Sequence, residues 1–198
     1  MKFAKHLLVA AIAATAFSAA YAESDINTGT AAGLSAAAKL DFRVIVPKII
    51  FLRVGTGTDF VDALNGANID RVDFTVSAAA LAANTTVAGA SGQGPYPVAV
   101  RVLGNGGNVS LTANGTAGGL TNGAQTIPWT QVVATSSNAA GLPHPAIGNG
   151  VAGAVSTLTA PASGVVSQTA NWTFDYSNRS VVAAGPYNGQ VVYTAALT

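Results

Sequence analysis

Residues 39–54 read KLDFRVIVPKIIFLRV. Leu40, Phe42, Val44 and Val46 alternate with Lys39, Asp41, Arg43 and Ile45, the two-residue period of a half-buried β-strand. Pro47 has no N–H to give to a ladder, so it marks an edge position, a bulge or a change of sheet. A second apolar run, Ile49 to Val54, closes at Gly55-Thr56-Gly57.

The same rhythm continues toward the C-terminus. After a polar loop at 55–70, Val72, Phe74 and Val76 alternate, and Ala78–Ala83 reads as a short helix or a continuation of that strand. Gly89–Pro97 reads as a loop. Val98, Val100 and Val102 form a further strand ending at Gly104-Asn105-Gly106-Gly107, with Val109, Leu111 and Ala113 as its hairpin partner. Asn114-Gly115 and Asn122-Gly123 are turn signals. Ile127–Val133 is an expected strand, 134–153 a long loop, and Val155–Leu158, Trp172–Tyr176 and Gln190–Ala195 the closing strands. Roughly eight to ten short strands at this spacing predict an all-β chain, an antiparallel β-sandwich with an N-terminal extension. The expected core is Val72, Phe74, Val76, Val98, Val100, Val102, Val109, Leu111, Trp129, Trp172, Phe174, Val191 and Tyr193. A closed outer-membrane barrel fits less well, because its strands need about ten residues each.

Upstream, Lys2 and Lys5, an apolar stretch from Leu7 to Ala20 and the small-x-small box Ala20-Tyr21-Ala22 have the layout of a secretory signal peptide at 1–22. The expectation is export through the periplasm to the cell surface, with no transmembrane segment in the mature chain. Removing 22 of 198 residues leaves 176, and removing Lys2 and Lys5 from nine basic residues leaves seven against eight acidic ones. That balance offers no basic stripe to a nucleic acid. Cysteine is absent, so cohesion must come from packing and strand pairing. Residues 23–38 are small and polar and read as a flexible arm with a short helix possible at 31–39, and 39–198 as one sandwich domain. Beyond Asp73 the only charged residues are Arg101, Asp175 and Arg179, a neutral surface suited to association.

Catalytic chemistry has few carriers here. There is no thiol, no nucleophile elbow and no metal-binding histidine pair, and His144, set between Pro143 and Pro145, reads as a surface residue. Neither an enzyme nor a cofactor is expected. Asp59, Asp62 and Asp70, with Asp73, Asn65 and Asn68, form the one acidic cluster, which reads first as a solvated loop plus the polar face of a strand and only weakly as a set of calcium candidates. Trp129 and Trp172 would suit a sugar-stacking platform, but their alternating surroundings favour the core.

Two motifs carry a family likeness. Ala184-Gly185-Pro186-Tyr187-Asn188-Gly189-Gln190-Val191-Val192 resembles the closing strand of bacterial fimbrial subunits, and Tyr187, Gly189, Val191 and Tyr193 would share one face of it. Val44-Ile45-Val46-Pro47-Lys48-Ile49-Ile50-Phe51-Leu52 resembles the opening of the cysteine-free colonisation-factor fimbriae of the alternate chaperone–usher class. The resemblance implies an immunoglobulin-like sandwich and a pilus subunit active in adhesion or biofilm, polymerising by donor-strand exchange. Leu40, Phe42, Val44 and Val46 would be the donor, and the partners would be copies of itself, a periplasmic chaperone and an outer-membrane usher. Leu197 stands where many pilins carry a penultimate tyrosine. The strand at 39–46 would equally serve as the first strand of a self-complete sandwich, acting as a monomeric adhesin or carbohydrate-binding module.

Overall fold

The computed structural model describes residues 23–30, 32–60 and 69–198; the expected leader and Asp62, Asn65 and Asn68 lie outside the described residues. The chain divides into two units between Val46 and Pro47. The described part of 23–46 holds neither helix nor strand, only a turn at Ala32-Gly33. Its contacts are local and long, such as Asn27 Nδ2 to the Ser35 carbonyl at 3.4 Å and Lys39 to Glu23 at 3.8 Å. The helix expected at 31–39 is not formed among the described residues, because an uncapped run of small residues with no face to bury does not nucleate one. Nor do residues 39–46 form a strand: alternation gives a segment a face, but a ladder needs a partner's N–H and C=O groups.

Residues 47–198 form an all-β sandwich. Its strands are β1 (Ile50–Val54), β2 (Arg71–Asp73), β3 (Val87–Ala88), β4 (Ala90–Gln93), β5 (Val98–Gly104), β6 (Val109–Gly115), β7 (Leu120–Asn122), β8 (Gln125–Ile127), β9 (Val132–Ser136), β10 (Ile147–Asn149), β11 (Ser156–Leu158), β12 (Val166–Tyr176) and β13 (Val191–Leu197). One helix, α1 (Ala78–Ala83), starts on the Ser77 hydroxyl, which accepts from the Ala80 N–H at 3.1 Å. Among the described residues no helix is long and apolar enough to cross a membrane.

The first sheet is built on β12. Residues 166–172 pair antiparallel with β5, which pairs in turn with β1. Residues 172–176 pair with β9, and 175–176 also with β3. A residue has only two ladder edges, so β3 takes up the edge that β5 leaves, and β9 occupies the other. The second sheet is built on β6. It pairs along its whole length with β13 on one edge, while β11 (antiparallel) and β10 (parallel) share the opposite edge. Ribbons β2–β4 and β7–β8 complete the fold, the second turning at Gly123 as Asn122-Gly123 predicts.

The core lies between the sheets. Val98, Val100 and Val102 of β5 and Val109, Leu111 and Ala113 of β6 are all buried, joined by Leu142, Leu158, Val166, Ala170, Trp172 and Phe174. The expected hairpin of β5 with β6 is not present. Gly104–Asn108 instead carries the chain across from one sheet to the other, so the two apolar faces meet face to face. At the crossing a Cβ on Gly104 would stand 2.9 Å from Val109 Cγ2, too close for any side chain. Asn105 clasps the entering chain, accepting from the Ile49 N–H at 2.7 Å and donating to the Pro47 carbonyl at 2.8 Å. Asn108 holds the far end, accepting from the Ala160 N–H at 2.9 Å through its side chain and from the Thr198 N–H at 2.9 Å through its carbonyl.

Other expectations change in detail. Asn114-Gly115 ends β6 and makes no turn, since β13 and β10 bind that stretch on both edges. The strand expected at 127–133 is broken by Pro128 and a 3₁₀ turn at Trp129–Gln131 before β9 begins. The loop at 134–153 contains the end of β9 and all of β10. Val76 is exposed, lying past the end of β2, and Val72, Phe74, Val191 and Tyr193 are only partly buried. Because Leu111 is wholly enclosed, Leu111→Ala is expected to lower the unfolding free energy by about 2–5 kcal/mol in urea titrations. Outward-facing Val192→Ala is expected to stay within about 0.5 kcal/mol of the parent.

Candidate functional site

The two sheets differ in how well their strands are covered. The inward side chains of central β5 and β6 are sealed, whereas those of β1 (Leu52, Val54) and β13 (Val191, Tyr193, Ala195, Leu197) are only partly buried. β1 is paired on one edge by β5 and β13 on one edge by β6. The two come together at the Gly104 end, where a Cβ on that glycine would lie 3.0 Å from Leu197 Cδ2 and 3.4 Å from Ile50 Cδ1. Among the described residues no strand pairs with the outer edge of β1 or of β13, and partly buried apolar side chains border both edges, the feature that a further strand can use.

The four side chains predicted to act as a strand donor are among the most exposed apolar groups of the chain: Leu40 75%, Phe42 87%, Val44 86% and Val46 72%. Of Gly185, Tyr187, Gly189, Val191 and Tyr193, only Val191 and Tyr193 belong to β13. Tyr187 and Gly189 precede it, so the four do not share a strand face as expected, because Asn188 is held in a bridge to Thr121 (2.8 and 3.0 Å). Gly185 has φ +138° beside Asn122, and the Tyr187 hydroxyl donates to the Ala183 carbonyl at 2.9 Å. Gly189 and Gly115 both lie against the Trp129 ring, leaving no room for a side chain at either.

His144 departs from its expected surface position. Its ring lies edge-on to Trp172, Phe174 and Tyr193 at centroid distances of 4.6, 5.3 and 5.5 Å, and Nε2 is 2.8 Å from the Tyr193 hydroxyl. The flanking prolines pull the loop inward, with Pro145 and Leu142 fully buried. Burial lowers the His144 pKa to about 4, partly offset by a backbone hydrogen bond at Pro145, and burial also raises that of Tyr193. Packed among three aromatic rings and joined through Nε2 to the Tyr193 hydroxyl, His144 fills the end of the core as a structural plug.

The described acidic residues do not converge on one point. Asp59 binds Arg53 Nη1 at 2.6 Å through Oδ1 and Arg101 Nη1 through Oδ2. Asp70 accepts from the Thr56 N–H (2.6 Å) and hydroxyl (2.5 Å), and Asp73 pairs with Arg71 at 2.7 Å. Among the described residues no group of three or more His, Cys, Asp or Glu gathers where it would hold a metal ion. Trp172 is wholly buried and Trp129 nearly so, its Nε1 donating to the Thr116 carbonyl at 2.9 Å, so neither ring is free to stack on a sugar.

Two shallow hollows open on outward faces. One, of about 290 Å³, is lined by Asn114, Thr116, Gly150, Gln190 and Val192. The other, of about 200 Å³, is lined by Arg53, Ala99, Ser137, Thr169 and Asn171. Sequence reading missed both. Arg53 and Arg101 both sit at outward positions of alternating strands, but their adjacency depends on a register that periodicity alone does not carry.

The chain matches no family model, no curated protein and no solved structure.

A depressed histidine pKa has a definite consequence for stability. The folded state holds His144 neutral down to about pH 4, while the unfolded chain takes up a proton near pH 6.5. The unfolded state therefore binds more protons within that window, and stability falls as pH drops through it. The full effect is on the order of 3 kcal/mol. Urea midpoints measured between pH 7 and pH 5, where carboxylates stay mostly ionised, are expected to fall for the parent and to remain nearly level for His144→Phe.

Proposed function

We propose that the protein is a structural subunit of an extracellular fimbria or fibre, polymerising by β-strand addition: residues 39–46 of one copy enter the apolar margin between β1 and β13 of the next. The observation that carries this reading is the exposure of Leu40, Phe42, Val44 and Val46, large apolar groups at alternate positions of an unpaired segment. Exposed apolar runs of this kind mark interaction sites. Burying the four in a neighbour would contribute about 6–12 kcal/mol before the entropy of association is set against it.

The strand order supports the same reading. Sheets β1-β5-β12-β9 and β13-β6 follow the order of strands A-B-E-D and F-C of an immunoglobulin-like sandwich, whereas β11 comes after β9 in the chain and has no counterpart there. In that correspondence the outer edge of β13 is where strand G would pair. The partly buried row Val191, Tyr193, Ala195 and Leu197 beside it suits the apolar side chains of an incoming strand. The neutral surface and the likeness of 44–52 and 184–192 to fimbrial subunits agree with such a role, as does the expected export, with a chaperone and usher as assembly partners.

The test compares the chain beginning at Glu23 with one beginning at Lys48, by light scattering and electron microscopy. The longer chain is expected to form ladders or fibres. The shorter is expected to stay monomeric and to bind a synthetic peptide of residues 39–47, with Phe42→Asp in that peptide abolishing uptake. Stable monomers from both, indifferent to the peptide, would make the sandwich self-complete and leave a monomeric adhesin or binding module as the function.

A further inference from the structure

We propose that the entering strand takes one register only, antiparallel to β13 of the receiving copy, with Phe42 seated over Ala195 and Ile45 over Val192. This rests on the strand-addition reading and names the residues of β13 that receive the strand.

A strand keeps its inward side chains inward only if it slides by two residues at a time. β13 offers four inward positions, Val191, Tyr193, Ala195 and Leu197, and no described strand pairs with its outer edge. Residues 39–46 bring four large apolar groups, Leu40, Phe42, Val44 and Val46. Only two registers set all four against all four. The parallel one runs from Leu40 opposite Val191 to Val46 opposite Leu197, and the antiparallel one from Leu40 opposite Leu197 to Val46 opposite Val191.

Inward volume separates the two. On its occupied edge β13 sets large against small: Tyr193 lies opposite Ala113, Ala195 opposite Leu111 and Val191 opposite Gly115. The parallel register would set Phe42 against Tyr193, whose ring already packs on Trp172 and His144 at 5.2 and 5.5 Å, and Val44 against Ala195. One place is then crowded and the next left hollow, and both faults weaken packing. The antiparallel register sets Phe42 against Ala195 and Val44 against Tyr193, the same large-against-small order as on the occupied edge.

The outward row chooses independently. Of Lys39, Asp41, Arg43 and Ile45 only Ile45 is apolar, and it is 75% exposed. On the outer face of β13, Val192 is the one large apolar side chain beside Thr194 and Ala196, and it is 57% exposed. The antiparallel register brings these two together and leaves Asp41 beside Ala196. The parallel one lays the Asp41 carboxylate on Val192 and Ile45 on Ala196. Cross-strand pairs of β-branched side chains are favourable, whereas a carboxylate covered by an apolar group loses water and gains no partner. Both faces of the strand select the same register.

The chain has no cysteine of its own, so disulfide trapping reads the register without background. In the chain beginning at Glu23, the double variant Ile45→Cys/Val192→Cys is expected to give covalent ladders on oxidation, with the 45–192 disulfide between copies identified by mass spectrometry. Asp41→Cys/Val192→Cys is expected to give no ladder. The inward face has its own measurement: Ala195→Phe and Phe42→Ala are each expected to raise the concentration needed for assembly about tenfold or more, and together to bring it back toward the parent's. If Ala195→Phe does not fold, the cysteine pairs decide. Parent fibres under the electron microscope with no 45–192 link, with ladders from the Asp41→Cys pair instead, or with the 45–192 link closed inside single monomers would overturn the register and leave strand addition standing. No assembly by the parent chain would remove both.

Discussion

The sandwich depends on the meeting of two alternating strands that follow one another in the chain but belong to different sheets. β5 ends at Gly104, the chain crosses through Asn105–Asn108, and β6 begins at Val109. Had these residues turned back as a hairpin, Val98, Val100 and Val102 would lie beside Val109, Leu111 and Ala113 in one sheet, and both rows would still need a cover. By crossing, each row covers the other. With no disulfide and few charges, this apolar seam is the principal source of cohesion, and Trp172, Leu142, Leu158 and Val166 extend it.

The crossing also determines which strands are left at the margins. β5 and β6, at the centre of the seam, each have both ladder edges occupied, by β1 and β12 and by β13 and β11–β10 respectively. β1 and β13 are consequently the strands with incomplete cover, and their inward side chains are the ones only partly buried. Asn105 and Asn108 then anchor the chain near these two margins, at Pro47 and Ile49 before β1 and at Thr198 after β13. Two asparagines in a turn-like sequence thus serve as clasps, satisfying backbone groups that strand pairing leaves over.

How much of this was readable from sequence follows from what periodicity can and cannot carry. Alternation identified β5 and β6 almost to the residue, because each has one buried face and one open one, and the apolar run Ile49–Val54 marked β1. It did not say which strands pair: Gly104-Asn105-Gly106-Gly107 has the composition of a hairpin turn whether the chain folds back or crosses over. The first half of β12, Val166–Asn171, escaped notice because Ser167, Gln168, Thr169 and Asn171 are polar, and only Val166 and Ala170 mark its inward face. His144 was misjudged because burial of a lone histidine depends on distant aromatics, Trp172, Phe174 and Tyr193, whose convergence no local pattern reveals.

The same limit explains why residues 39–46 read as a strand yet form none. Alternation records which side chains a segment can bury, and says nothing of whether a partner for its backbone lies in the same chain. In β1 the pattern and the partner coincide: Ile50–Val54 pairs residue for residue with Val100–Gly104. In 39–46 the pattern is as strong, but the N–H and C=O groups have no ladder and the apolar side chains remain in water. Exposed Leu, Phe and Val side chains at this density favour burial strongly and oppose solubility. A segment with a strand's side chains and no strand's hydrogen bonds leaves both its apolar groups and its backbone in water, and its physical complement would be an apolar margin bordered by unpaired backbone.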